Sequence, residues 1–203
     1  MNRLSSAFLG GQAGKLAMAA AVAITILSGT ASVQQPATNS VEAQRQAMQK
    51  LSFLAGNWSG TVSIIRGPGE PGSQRTGSDP GGEEPLKLTQ TENVRYKLGG
   101  LVLLIEGKSA GADGKTRFEA LATIAYDDAT GKYCIRAYSG GHYLDTELTV
   151  SADGFSWGFQ GGPMHIVNTM RLTPKGQWRE TTEEKMGDNP PRPTVDMLLD
   201  REW

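Results

Sequence analysis

With 203 residues, the chain suits one domain with a sizeable core once any targeting segment is set aside. Its 20 basic residues against 21 acidic ones leave no electrostatic footprint for nucleic acid or an anionic membrane. Cys134 is the only cysteine, which excludes an internal disulfide, so the fold rests on its core alone.

In chain order, Arg3 and Lys15 precede an uninterrupted apolar run, Leu16 to Leu27, and the small residues Gly29-Thr30-Ala31 follow. The pattern predicts a cleaved signal peptide over residues 1–31, because the run is shorter than the roughly 20 residues that span a bilayer. An uncleaved N-terminal anchor is the alternative. Without the two basic residues of that segment, 18 Lys+Arg face 21 Asp+Glu, a formal charge of −3. A secreted or periplasmic protein is expected, with no membrane attachment after cleavage.

Val41 to Leu54 is rich in helix formers, with Ala47, Met48, Leu51 and Leu54 at helical spacing and Gly56 as a stop signal. Residues 32–50 therefore read as a linker and the start of a short helix, and residues 51–203 as one β domain. From Asn57 the period becomes two, with a first strand from Trp58 to Ile65. Gly67 to Pro85 then carries ten Gly or Pro in nineteen residues and no core anchor, which predicts a surface insertion and not a domain boundary. Leu86 to Leu98 alternates cleanly: Leu86, Leu88, Gln90, Glu92, Val94, Tyr96 and Leu98 share one face, and the other face is wholly polar. Further short strands follow to Trp203, separated by Gly, Pro and Asp turns. About ten strands on short hairpin links predict an all-β fold: a closed antiparallel up-and-down barrel preceded by a short helix.

Gly56-Asn57-Trp58-Ser59-Gly60 after a short helix resembles the G-x-W opening of the calycin superfamily, which includes lipocalins, fatty-acid-binding proteins and nitrobindins. The run Gln90 to Gly107, then Ala120 to Asp127 and Ile135-Arg136-Ala137-Tyr138, is similar to a group of uncharacterised bacterial lipocalin-like domains. The resemblance covers roughly Leu51 to Trp203 apart from the insertion. It implies a barrel with an internal cavity and brings no established substrate. The insertion stands where fatty-acid-binding proteins carry a helical lid, which its composition cannot form.

Parity places Gln90 and Glu92 inside the barrel, where an unpaired carboxylate costs on the order of several kcal/mol. Trp178, Glu180, Thr182, Glu184 and Met186 share a face by the same rule. Arg136 is a candidate bidentate partner for an interior carboxylate. On this reading Gln90, Glu92, Glu180 and Arg136 give polar contacts, and Tyr96 and Trp157 aromatic walls, to a small hydrophobic or amphipathic ligand. The competing readings are a structural interior network and, for Glu180 and Glu184, a solvent face. A second function is enzymatic, an isomerase or hydrolase with Glu92 as general base, which a raised Glu92 pKa favours. Enzyme status and catalytic residues stay unassigned.

Nitrobindin-like members hold haem through an axial histidine, which makes His142 and His165 formal candidates for a haem or nitric oxide site. Both follow Gly-rich turns and read as solvent-open strand ends, so no cofactor is predicted, and no cluster has zinc-site spacing. Cys134 reads as buried filler and Trp58 as a structural plug. Gly67-Pro68-Gly69-Glu70-Pro71-Gly72 matches G-x-G-x-x-G but lacks the helix that would present amides to a phosphate. A filled barrel acting through its surface is the remaining alternative. Val102 and Leu104, opposite Leu101, Leu103 and Ile105, make one strand apolar on both faces, which suits a monomer or a homodimer.

Overall fold

Alternating side chains and tight glycine turns give a ring of ten antiparallel strands. The computed structural model describes residues 38–65 and 84–203. The predicted signal peptide and all but the last two residues of the Gly/Pro-rich insertion lie outside the described residues. Helix α1 (Thr38–Gln49) leads into β1 (Gly56–Ile64), β2 (Leu86–Lys97), β3 (Val102–Ala110), β4 (Thr116–Asp127) and β5 (Lys132–Ser139). Then come β6 (His142–Val150), β7 (Gly154–Gly161), β8 (Met164–Leu172), β9 (Trp178–Met186) and β10 (Arg192–Glu202). Each strand pairs with its chain neighbours, and β1 also pairs with β10, from Asn57 opposite Glu202 to Ile64 opposite Val195. The ring is the closed up-and-down barrel that the strand spacing predicts.

Close strand approach at the closure point requires glycine. A Cβ on Gly60 would lie 2.1 Å from the Leu198 carbonyl oxygen of β10. Pairing around the ring is uneven. β5–β6 and β7–β8 pair over seven and eight positions, whereas β6–β7 pairs over three, from Leu148 opposite Trp157 to Val150 opposite Phe155. Beyond Trp157 the Thr146 hydroxyl donates to the Gly158 carbonyl at 2.9 Å, a side-chain bond across the seam where the ladder has stopped.

The helix ends at Gln49 and not at Leu54, as its apolar spacing predicts. The chain tightens there into i→i−3 bonds: Lys50 N–H to Ala47 O, Leu51 N–H to Met48 O and Leu54 N–H to Leu51 O, at 3.1, 3.0 and 3.0 Å. Met48, Leu51 and Leu54 recur every three residues, so the tighter winding turns all three into the core, where they are fully buried. Together with Trp58, Leu103, Ile124, Met170, Trp178 and Leu199 they form the apolar centre of the molecule.

Candidate functional site: a carboxylate floor inside the barrel

At the helix end the interior is apolar, and its polar atoms are paired. Trp58 and Trp178 meet edge to face at 5.7 Å, and Phe155 packs on Trp178 at 6.4 Å. The Trp58 indole N–H donates to Leu54 O at 2.8 Å. Tyr96 and Tyr133 donate their hydroxyls to Met48 O and Ala47 O at 2.6 and 2.7 Å, each a second donor to a carbonyl in the last turn of the helix. The Arg201 guanidinium lies 4.2 Å from the Trp58 ring centre and donates to Phe53 O and Ala55 O. This end is a plug.

Trp178 turns its indole N–H the other way, onto Glu180 Oε2 at 2.9 Å. Above the tryptophans, the inward faces of β2, β3, β8 and β9 are polar. Glu92 lies against Gly107, its register partner on β3, where a Cβ would stand 2.6 Å from one carboxylate oxygen and 2.7 Å from the other. Only glycine leaves room for that carboxylate. Ser109 donates its hydroxyl to Gln90 Oε1, which directs the Gln90 amide N–H onto Glu92 Oε1 at 2.7 Å. Asn168 of β8 donates from Nδ2 to Glu180 Oε1 at 2.9 Å and to Thr182 Oγ1 at 3.1 Å. Its own Oδ1 is buried and receives no donor.

Burial pushes the Glu92 carboxyl from its ordinary 4.5 up to about 8. The negative charge of Glu180 adds to the rise, and the Gln90 amide offsets part of it. Glu180 is also raised, because its burial outweighs the hydrogen bonds from Asn168 and Trp178. The two carboxyls therefore feel each other, and at neutral pH Glu92 is mostly protonated. No Lys, Arg or His among the described residues pairs with either one.

Farther from the plug, Glu180, Thr182, Ile166, Trp157, Thr146 and Ala122 point inward yet remain only half-buried. These side chains keep part of their surface accessible, Glu180 included. Near the end away from the plug, Glu184 is paired with Arg192 at 3.1 Å.

Of the residues the sequence nominates, Gln90, Glu92, Glu180 and Trp157 face this interior. Tyr96 also faces inward, but its hydroxyl serves the helix plug. Arg136 is a correction. It lies on the outer face of β5, where it grips Asp145 of β6, with Nε 2.9 Å from Oδ2, and is half exposed. The cause is parity: Tyr133 and Ile135 are the buried set of β5, so Arg136 points away from the carboxylates it was expected to neutralise. Cys134 shares that outer face and is half-buried, unlike the buried filler expected. His142 is exposed at the β5–β6 hairpin, and His165 is exposed on the outer face of β8. The sequence reading missed Ser109, Gly107, Asn168 and the pairing of Trp178 with Glu180. Parity held a signal for three of these. Gly107 and Ser109 continue the inward series of Leu103 and Ile105, and Asn168 sits between Ile166 and Met170.

Two shallower depressions lie on the outer wall. One, of about 640 Å³, runs over β3 to β6 between Glu106, Lys108, Glu119, Leu121, Tyr138 and Tyr143. The other, of about 450 Å³, crosses the seam between β6 and β7 and touches Trp157 and Phe159. Although the first is larger, its charges are solvated surface pairs such as Lys108–Glu119 at 3.5 Å. The interior floor holds the desolvated carboxyls.

No family model and no curated protein matches this chain. Among solved structures it is similar to the crystal structure of Rv2717c from M. tuberculosis, at 14% identity and a TM-score of 0.54. The match covers 77% of this chain and 98% of that one. At that identity the likeness shows the barrel fold and nothing finer.

Proposed function

We propose that the barrel reversibly binds a small, partly apolar molecule, held over the floor formed by Gln90, Glu92 and Glu180. The observation that carries this reading is the pairing of desolvated carboxyls with half-buried, inward-facing side chains above them. Trp157 and Ile166 supply apolar wall, and the floor supplies orientation. The incomplete β6–β7 ladder supports a side entrance, since the groove outside it reaches Trp157. We further propose that the protein is exported and acts in the periplasm or outside the cell, as a monomer or a homodimer.

Titration with neutral N-phenyl-1-naphthylamine, read by dye emission and tryptophan quenching, tests the binding. Saturable binding that weakens in a Trp157→Ala variant is expected. A flat titration, together with a bare polypeptide mass for protein purified gently from its host, overturns it. The same spectra carry a further readout, since a Soret band would point to haem and not to an organic guest.

The raised carboxyl of Glu92 favours a second reading, acid–base catalysis. A carboxyl titrating near 8 is mostly an acid at neutral pH and a base only above that range. Turnover of a bound guest that rises with pH and disappears in Glu92→Gln would establish it.

A further inference from the structure

Among the described residues, no cation pairs with the interior carboxyls. Glu92 is met by Gln90 from its own strand, Trp58 from β1 and Gly107 from β3. Glu180 is met by Trp178, Asn168 and Met197. Their neighbours Trp58 and Trp178 meet ring to ring, which puts the two carboxyls in one layer, and the charge of Glu180 acts on Glu92. Other inward titratable groups have partners of their own: the Tyr96 phenol of β2 and the Tyr133 phenol of β5 are bound to helix carbonyls, and Glu184 of β9 pairs with Arg192 of β10. Arg201 is spent on the plug. A buried carboxylate without a basic partner is normally avoided, so two together call for compensation.

The floor also has acceptors to spare. Glu92 Oε1 takes the Gln90 amide, and Oε2 takes no donor from the described residues. Each oxygen of Glu180 takes one donor and can accept another. Asn168 is only 5% exposed, its amide nitrogen touches Glu180, and its Oδ1 has no partner. These three acceptor groups match the three donors of an ammonium. Trp178 and Trp157, the first donating to Glu180 and the second on the wall, add aromatic surface that suits a cation with an apolar body.

We propose that the molecule bound in this barrel is a hydrophobic primary amine, taken up as its ammonium ion over Glu92, Glu180 and Asn168. This rests on the binding reading above and specifies its ligand class. The exchange balances in charge and mass. The ammonium enters with its three protons, Glu92 gives its carboxyl proton to water, and the floor ends as a carboxylate–ammonium contact. Affinity therefore rises with pH until the free amine itself loses its proton.

Calorimetric titration with 2-phenylethylamine, 2-phenylethanol and 3-phenylpropionate, in buffers of differing ionisation enthalpy, tests this. The amine is expected to bind at least tenfold tighter than the alcohol, with proton release and with affinity increasing between pH 6 and 8.5. Glu92→Gln and, separately, Glu180→Gln should each lower amine affinity at least tenfold and leave the alcohol unchanged, while Arg136→Ala alters neither. Equal affinity for amine and alcohol, preference for the acid, or amine binding untouched in both variants overturns the proposal. If the neutral dye still binds in those cases, only the ligand class fails. If dye and amine both fail to bind, the cavity reading falls with it.

Discussion

The two halves of the barrel interior are built on opposite principles. At the helix end, Trp58, Tyr96 and Tyr133 each hand a polar atom to a helix or turn carbonyl, and Met48, Leu51 and Leu54 fill the remaining space. On the floor just above, Glu92 and Asn168 are buried and Glu180 half-buried, yet their partners are incomplete. A satisfied network rigidifies, and an under-satisfied one stores a cost that a ligand or a proton can relieve. The contrast separates the half that holds the barrel together from the half that has something left to bind. Trp178 joins them, packing on Trp58 with its ring and serving Glu180 with its nitrogen.

The largest effect is expected in the plug. Trp58→Ala removes a fully buried indole and its bond to Leu54 O, and should cost about 3–5 kcal/mol in urea unfolding. Leu51→Ala should cost about 2–5 kcal/mol while leaving the dependence of stability on pH as it is in the parent chain. If either change abolished that pH dependence, plug and floor would not be separable.

The floor should instead govern pH. In the folded chain Glu92 keeps its proton up to about pH 8, against 4.5 for an ordinary glutamate, so the native state binds more protons between those values. Stability linked to Glu92 is therefore complete below about pH 4.5 and is lost as pH rises through about 8. At about 1.4 kcal/mol per unit of pKa difference, the loss is on the order of a few kcal/mol. Glu180 acts in the same direction. Glu92→Gln should match the parent near pH 4 and exceed it at neutral pH and above, which urea midpoints at both values would read. A smaller effect, about 1–3 kcal/mol, is expected from Gly107→Ala, because the added methyl meets the Glu92 carboxylate. Combining it with Glu92→Ala should cost less than the two changes summed, since the collision is then gone.

Much of this was legible before any coordinates. The strand count and the closure follow from strand spacing and short hairpin links, and the inward placement of Gln90 and Glu92 from alternation in β2. Arg136 went wrong because charge complementarity was allowed to override parity on a strand whose apolar set, Tyr133, Ile135 and Ala137, already pointed the other way. The truncated β6–β7 pairing leaves no trace in composition, because the residues on both sides of the seam still alternate. Nor could the effect of Glu180 on Glu92 be read from the chain. It depends on barrel shear, which sets how far β2 and β9 are staggered across the lumen.

The smallest expected effect sharpens the comparison from outside. Arg136 and Asp145 form a tight pair across β5 and β6, with Nε 2.9 Å from Oδ2, yet both side chains are about half exposed. The pairing holds the guanidinium above its ordinary range, but water screens it and long side chains must be ordered to keep it. Arg136→Ala should leave the urea midpoint, the pH dependence of stability and binding to the interior all as they are in the parent chain. Arg136→Glu, which sets two acids side by side, should shift the midpoint only at low salt, because added ions screen surface repulsion. A change in dye or amine affinity in either variant would mean that the outer wall reaches the floor, and the division between solvated and desolvated charge would have to be redrawn.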